Sequence, residues 1–178
     1  VQGGMGMLRL LGTVLVIGAC SALGFSARQH MAHRVIILEQ FIQMLDMISA
    51  ELDNHQTPLP DIIHQLAEES GTELRRLFSE MNRRLACKDG LSFAYRWQTT
   101  IRDMAPELGL ESEEITILRD VAAYLGRYQA EQQIFGLQQT RARLESVKAN
   151  ALHTLQTKGS VYRTCGIAGG IVAVLMML

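Results

Sequence analysis

His30 and His33 stand three residues apart. On a helix that spacing sets both imidazoles on one face, where a bound metal ion would still need a third ligand. None follows at suitable spacing, and both histidines sit where a long apolar run ends, so they read as surface groups at an interface. Asp61 and His64 repeat the spacing with an acid and a base; a local polar contact accounts for them more simply than acid–base catalysis. Trp97, close to Arg96 and Arg102, has the makings of a base-stacking platform. A single tryptophan in the core phase of a helix is packing, however, and the polar part of the chain carries sixteen bases against eighteen acids, so no nucleic acid partner is expected.

The three cysteines, Cys20, Cys87 and Cys165, are odd in number and have no metal-ligand spacing, and two of them lie in apolar segments. They make no disulfide framework and point to a reducing compartment for the middle of the chain. The P-loop, dinucleotide-binding, HExxH, CxxC and GxSxG signatures are all absent. The expectation is a chain with no catalytic residues, no cofactor and no metal. A membrane-anchored enzyme or a sensor with an unrecognised site is the alternative.

The elements that would position such groups are helical. Three prolines and 6% aromatic residues are too few for a many-stranded β fold. Charge is unevenly spread: every acid and every base except Arg9 lies between Arg28 and Arg163. Leu10 to Ala27 is uncharged for eighteen residues, and with Met7 to Arg9 it makes ~30 Å of helix, enough to cross a bilayer with Arg9 snorkelling to the headgroups. Ile17-Gly18-Ala19-Cys20 approaches a lipobox, but the apolar run continues past Cys20, which favours an uncleaved span.

Thr164 to Leu178 is a second uncharged run of ~22 Å as a helix, brought near spanning length by Val161 to Arg163, whose Tyr162 and Arg163 suit the headgroup level. Gly18 with Ala22, and Gly166 with Gly170, have the small-xxx-small spacing that lets membrane helices approach closely. Arg28, Arg34, Lys158 and Arg163 flank the middle, against Arg9 alone on the terminal side, so the middle is expected to face the cytoplasm. The expected division is an N-terminal extension over 1–6, a transmembrane helix over 7–27, a cytoplasmic helical domain over 28–160 and a second transmembrane helix over 161–178.

Within the middle, Val35, Ile36, Leu38, Phe41, Ile42, Leu45, Ile48 and Leu52 form an apolar stripe that ends near Asp53-Asn54. Thr57-Pro58 predicts an N-cap followed by proline in the first turn, opening a second helix that Ser70-Gly71 closes. Leu74, Leu77, Phe78, Met81 and Leu85 mark a third helix, ended by Asp89-Gly90. Ser92 caps a fourth, broken by Pro106 and Gly109, and Ser112 opens a fifth. From Gln129 to Lys158 only Gly136 interrupts a long sixth helix. The fold class is therefore all-α: two terminal transmembrane helices and a cytoplasmic bundle of about six helices.

Charge falls in blocks along this bundle. Glu39 to Glu73 has eight acids and no Lys or Arg, and Arg75 to Arg102 has seven bases against two acids. Six acids and one base follow from Asp103 to Asp120, then six bases and two acids from Arg127 to Arg163. Either acidic helices dock beside basic ones and the blocks cancel, or the blocks form faces for partners. Arg75, Arg76, Arg83, Arg84 and Lys88 are the candidate partner-binding residues on the second reading. Because adjacent helical residues point about 100° apart, at most one of Arg83 and Arg84 is expected to meet any given acid.

The order of these features resembles the stage III sporulation protein AB family of endospore-forming bacteria. The matching residues are Met7-Leu8-Arg9-Leu10-Leu11-Gly12, Thr57-Pro58-Leu59, Leu125-Gly126, Gln133, Lys158-Gly159, Tyr162-Arg163 and Gly166, with Val1 to Gly6 preceding the family's usual start. The resemblance implies a mother-cell membrane protein of the channel complex that joins mother cell and forespore. Its domain would be similar to that of the platform protein of type II secretion systems, which carries two such domains and three spans where this chain has one domain and two. The implied partners are a secretion-type ATPase, other membrane channel components, membrane lipid and further copies of the chain; no catalytic residues are implied.

Overall fold

An uninterrupted run without proline from the first residues to Asn54 lets one helix propagate through it, and α1 spans Gly3–Asn54 in the computed structural model. The structure describes the backbone of residues 3–54, 57–87, 89–125 and 130–175, with side chains described at these positions except 3–25, 27, 54, 130 and 158–175. After α1 come α2 (Leu59–Glu69), α3 (Thr72–Leu85), α4 (Phe93–Leu108), α5 (Ser112–Tyr124) and α6 (Ala130–Leu175). The described residues are all-α with no strand, as the composition predicts. They divide into two compact units, one made of 33–150 and the other of 1–32 with 151–178. Among the described residues no helix is long and apolar enough to cross a membrane. The side chains of both expected spans lie outside the described residues, as do those of Gly18, Ala22, Gly166 and Gly170.

Within unit 33–150, α2 packs on α3, α3 on α4 and α4 on α5. The stripe of α1 is buried through Ile37, Leu38, Phe41, Ile42, Met44, Leu45, Ile48 and Leu52, while Ile36 is 55% exposed. Ile36 thus leaves the stripe assigned to it: Ile37 takes the core direction, and its neighbour about 100° around the helix faces out. Trp97 is buried, stacks on Phe93 at 6.1 Å and donates its indole N–H to the Leu118 carbonyl at 2.7 Å, joining α4 to α5. Gly136 is required where α6 meets α5, because a Cβ there would lie 2.3 Å from the ring of Tyr124.

Two helix ends differ from the sequence reading, and two agree with it. α2 starts after Pro58, whose carbonyl accepts from Asp61 and Ile62, and the Thr57 hydroxyl instead donates to Glu51 at 2.9 Å. α5 begins at Ser112 as expected, with Glu111 as its N-cap, the Glu111 N–H donating to Glu114 Oε2 at 2.6 Å. α4 runs past Pro106 to Leu108, since a proline in the last turn removes only one donor, and Gly109 ends it at φ 67°. Ser92 caps α4 as expected, accepting from the Tyr95 N–H at 3.3 Å.

Candidate functional site

The basic block sits on α3, and its side chains reach three carboxylates. Arg76 donates to Glu107 at 2.6 Å, tying α3 to the end of α4. Arg84 reaches Glu80 at 2.7 Å, Asp103 at 3.0 Å and Thr99 at 3.3 Å. Arg83 also binds Glu80, at 2.7 and 2.8 Å. The expectation that adjacent arginines cannot share an acid is corrected here. Residues three and four positions after Glu80 lie on either side of its direction on the helix, so both reach it. The two guanidiniums hold the Glu80 carboxyl down at about 2, and Arg84 keeps Asp103 below the usual carboxylate range. The Arg76 and Arg84 guanidiniums are raised by Glu107 and Glu80 respectively. Arg75 is exposed and lies 3.5 and 3.4 Å from the carbonyls of Glu68 and Ser70. Lys88 lies outside the described residues.

Two arginines outside that block do structural work the sequence did not disclose. Arg96 is 8% exposed and donates to the carbonyls of Leu91 (3.1 Å), Cys87 (2.9 Å) and Arg84, and to Asp89. These carbonyls lie in the last turn of α3 and the loop after it, beyond the reach of the helix's own N–H groups, and the Arg84 carbonyl accepts in addition from the Cys87 N–H at 3.2 Å. Arg34 on α1 clasps the fully buried Glu114 through Nε and Nη2, both at 2.7 Å, and also pairs with Glu111. The only sequence signal was Glu114 three residues after Glu111, the spacing of a capping box.

The acidic block splits by helix. Glu39 pairs with Lys148, and Asp46 with Arg141 at 2.7 Å; both pairs are seven residues apart on each helix, so α1 and α6 run antiparallel here. Lys148 holds Glu39 below the usual carboxylate range. On α2 matters differ: Glu68 has His64 at 3.9 Å and Glu69 has the Gln65 amide at 3.2 Å. Asp61 and His64 are both exposed, and the imidazole turns to Glu68. The described residues contain no cluster of three metal-ligating side chains. Beside α2, an open cleft of about 120 Å³ lies between α1, α2 and α3, lined by Gln40, Met44, Met47, Leu66, Glu69 and Leu74 among others.

The family profile described as stage III sporulation protein AB matches residues 9–178. The stage III sporulation protein AB of Bacillus subtilis (strain 168) is 23% identical over 172 residues, covering 97% of this chain and 100% of that protein. A solved structure of a stage III sporulation protein AB superposes with a TM-score of 0.63 at 23% identity, over 70% of this chain and 97% of that one, a likeness of fold.

Proposed function

Because the chain belongs to the stage III sporulation protein AB family, we propose that it acts in sporulation as a noncatalytic membrane platform. In this reading both terminal segments cross the mother-cell membrane around the forespore. The 33–150 unit faces the cytoplasm, where it couples a secretion-type ATPase to the channel complex. The observation that carries it is the extent of the family match: residues 9–178 take in both uncharged terminal runs as well as the helical unit between them. Arg28, Arg34, Lys158 and Arg163, at the two ends of the polar middle, support the orientation.

Topology and partnership are tested separately. Cys87 is exposed, so in a chain with Cys20 and Cys165 replaced by serine it should react with a membrane-impermeant thiol reagent in inside-out vesicles and not in intact cells. Labelling in intact cells reverses the orientation. The full chain extracted from membranes should retain the ATPase on an affinity column, and an ATPase that elutes unretained overturns the coupling role.

A further inference from the structure

The cleft between α1, α2 and α3 has two chemistries in one lining. Met44, Met47, Leu66 and Leu74 supply apolar walls, and Glu69, exposed, supplies a carboxylate. Gln40 adds an acceptor: its Oε1 is buried and has no hydrogen-bond partner among the described residues. The Gln40 amide is held against the backbone of Gly71, where a Cβ would come within 3.0 Å of Nε2. A buried unpaired carbonyl is costly, and sites that keep one usually pair it with something absent from the chain itself.

The electrostatics around the cleft fix the sign of that something. From Glu39 to Glu73 the chain has no Lys or Arg. Glu39 and Asp46 of α1 are answered from α6, whereas among the described residues Glu69 pairs with the neutral amide of Gln65 and Glu68 with His64. Arg75, the first base to follow in sequence, is directed at the carbonyls of Glu68 and Ser70. Thioether walls are adaptable and accept an aliphatic stem of irregular path. A guanidinium has five donors in a planar fork and is weakly hydrated, so it can serve an amide oxygen and a carboxylate together after leaving water.

We propose that this cleft seats an arginine side chain projecting from a basic segment of a partner protein, its stem along Met44 and Met47 and its head between Gln40 Oε1 and Glu69. The inference stands on the cleft alone and is independent of the platform reading. Its size, many times the ~10–15 Å³ that one water needs, makes a water-filled recess the rival.

The test uses the full chain in detergent micelles with ¹³C-labelled methionine methyls, titrated with butylguanidinium, 1-butanol, butyrate and the capped tripeptide acetyl-Gly-Arg-Gly-amide. The cation and the tripeptide should shift the Met44 and Met47 methyl resonances saturably, and butanol should not. Glu69→Gln should weaken both ligands about fivefold, as should higher salt. Gln40→Met should weaken them at least as much; if that variant misfolds, Glu69→Gln alone decides. No saturable shift, or equal shifts from butanol, leaves a water-filled recess and overturns the proposal. Binding of butyrate in place of the cation means that the Gln40 amide presents its N–H₂, and overturns it too. Binding of butylguanidinium without the tripeptide means a free small cation, and rules out a protein side chain.

Discussion

Helices α3 and α2 lie side by side and carry opposite charge, yet their surfaces are resolved differently. On α3, Arg76, Arg83 and Arg84 all end on carboxylates of α3 or α4. On α2, among the described residues, Glu68 and Glu69 find an imidazole and an amide, and the helix borders a cleft with an unpaired acceptor. The basic block singled out from the sequence is thus the poorer docking candidate. Neutralisation depends on what the next helix brings within about 4 Å, and a count of charges along the chain does not contain that distance.

The largest effect that would break this comparison comes from the α3–α4 corner. Arg96→Ala takes the side-chain donor from the Leu91 and Cys87 carbonyls, leaves the Arg84 carbonyl and Asp89 with one backbone N–H each, and should cost about 3 kcal/mol, read as a drop in melting temperature of the full chain. A melt unchanged by that substitution would mean the corner does not depend on the guanidinium.

Next comes reversal of the α3 arginines. Arg84→Glu places a third acid between Glu80 and Asp103 and should cost about 1–2 kcal/mol. Arg83→Glu, at a side chain 71% exposed, should change the melt far less. Neither should alter retention of a partner, because the side chains serve the domain itself. Glu69→Gln on α2 is the matching contrast and should leave the melt unchanged. If the Arg83→Glu, Arg84→Glu double variant melts like wild type but loses its partner, the two helices exchange roles.

The smallest effect is acid dependence. Glu80 is held at about 2 against an ordinary 4.5, chiefly by Arg83 and Arg84, and Glu39 and Asp103 are lowered as well. A carboxyl whose folded value is lowered gives stability that is complete above its unfolded value and is lost as the pH falls toward the folded one. The melting temperature should therefore fall between pH 4.5 and about 2, and Glu80→Gln should flatten that fall. A Glu80→Gln variant with an identical acid profile would show that the α3 pairs contribute nothing.

The helices were legible because their signals are local. Apolar residues at three- and four-residue steps gave the stripe of α1 and the buried face of α3, Ser92 gave the α4 cap, and Gly109 gave the end of α4 to within one residue. The start of α5 at Ser112 was read correctly, whereas Thr57 was misread as a cap because the Pro58 carbonyl takes the N–H groups at the start of α2. Which way a hydroxyl turns depends on a carboxylate six residues away, as Thr57 and Glu51 show. The cleft had no signal at all, since Gln40, Glu69 and Gly71 meet only when α1 lies against the α2–α3 turn.

The sequence by itself determined the all-α class, the order of helices, the burial of Trp97 and the alternation of charge, because each rests on the periodicity of a single helix or on composition. Only the tertiary structure decided that Arg83 and Arg84 share Glu80, that Arg34 clasps a buried Glu114, that Arg96 closes the α3 corner, and that Glu68 and Glu69 of α2 pair with an imidazole and an amide. Those outcomes depend on which helix faces which and at what register. Electrostatic energy falls with the distance between groups, and for residues far apart in the chain the fold alone sets that distance.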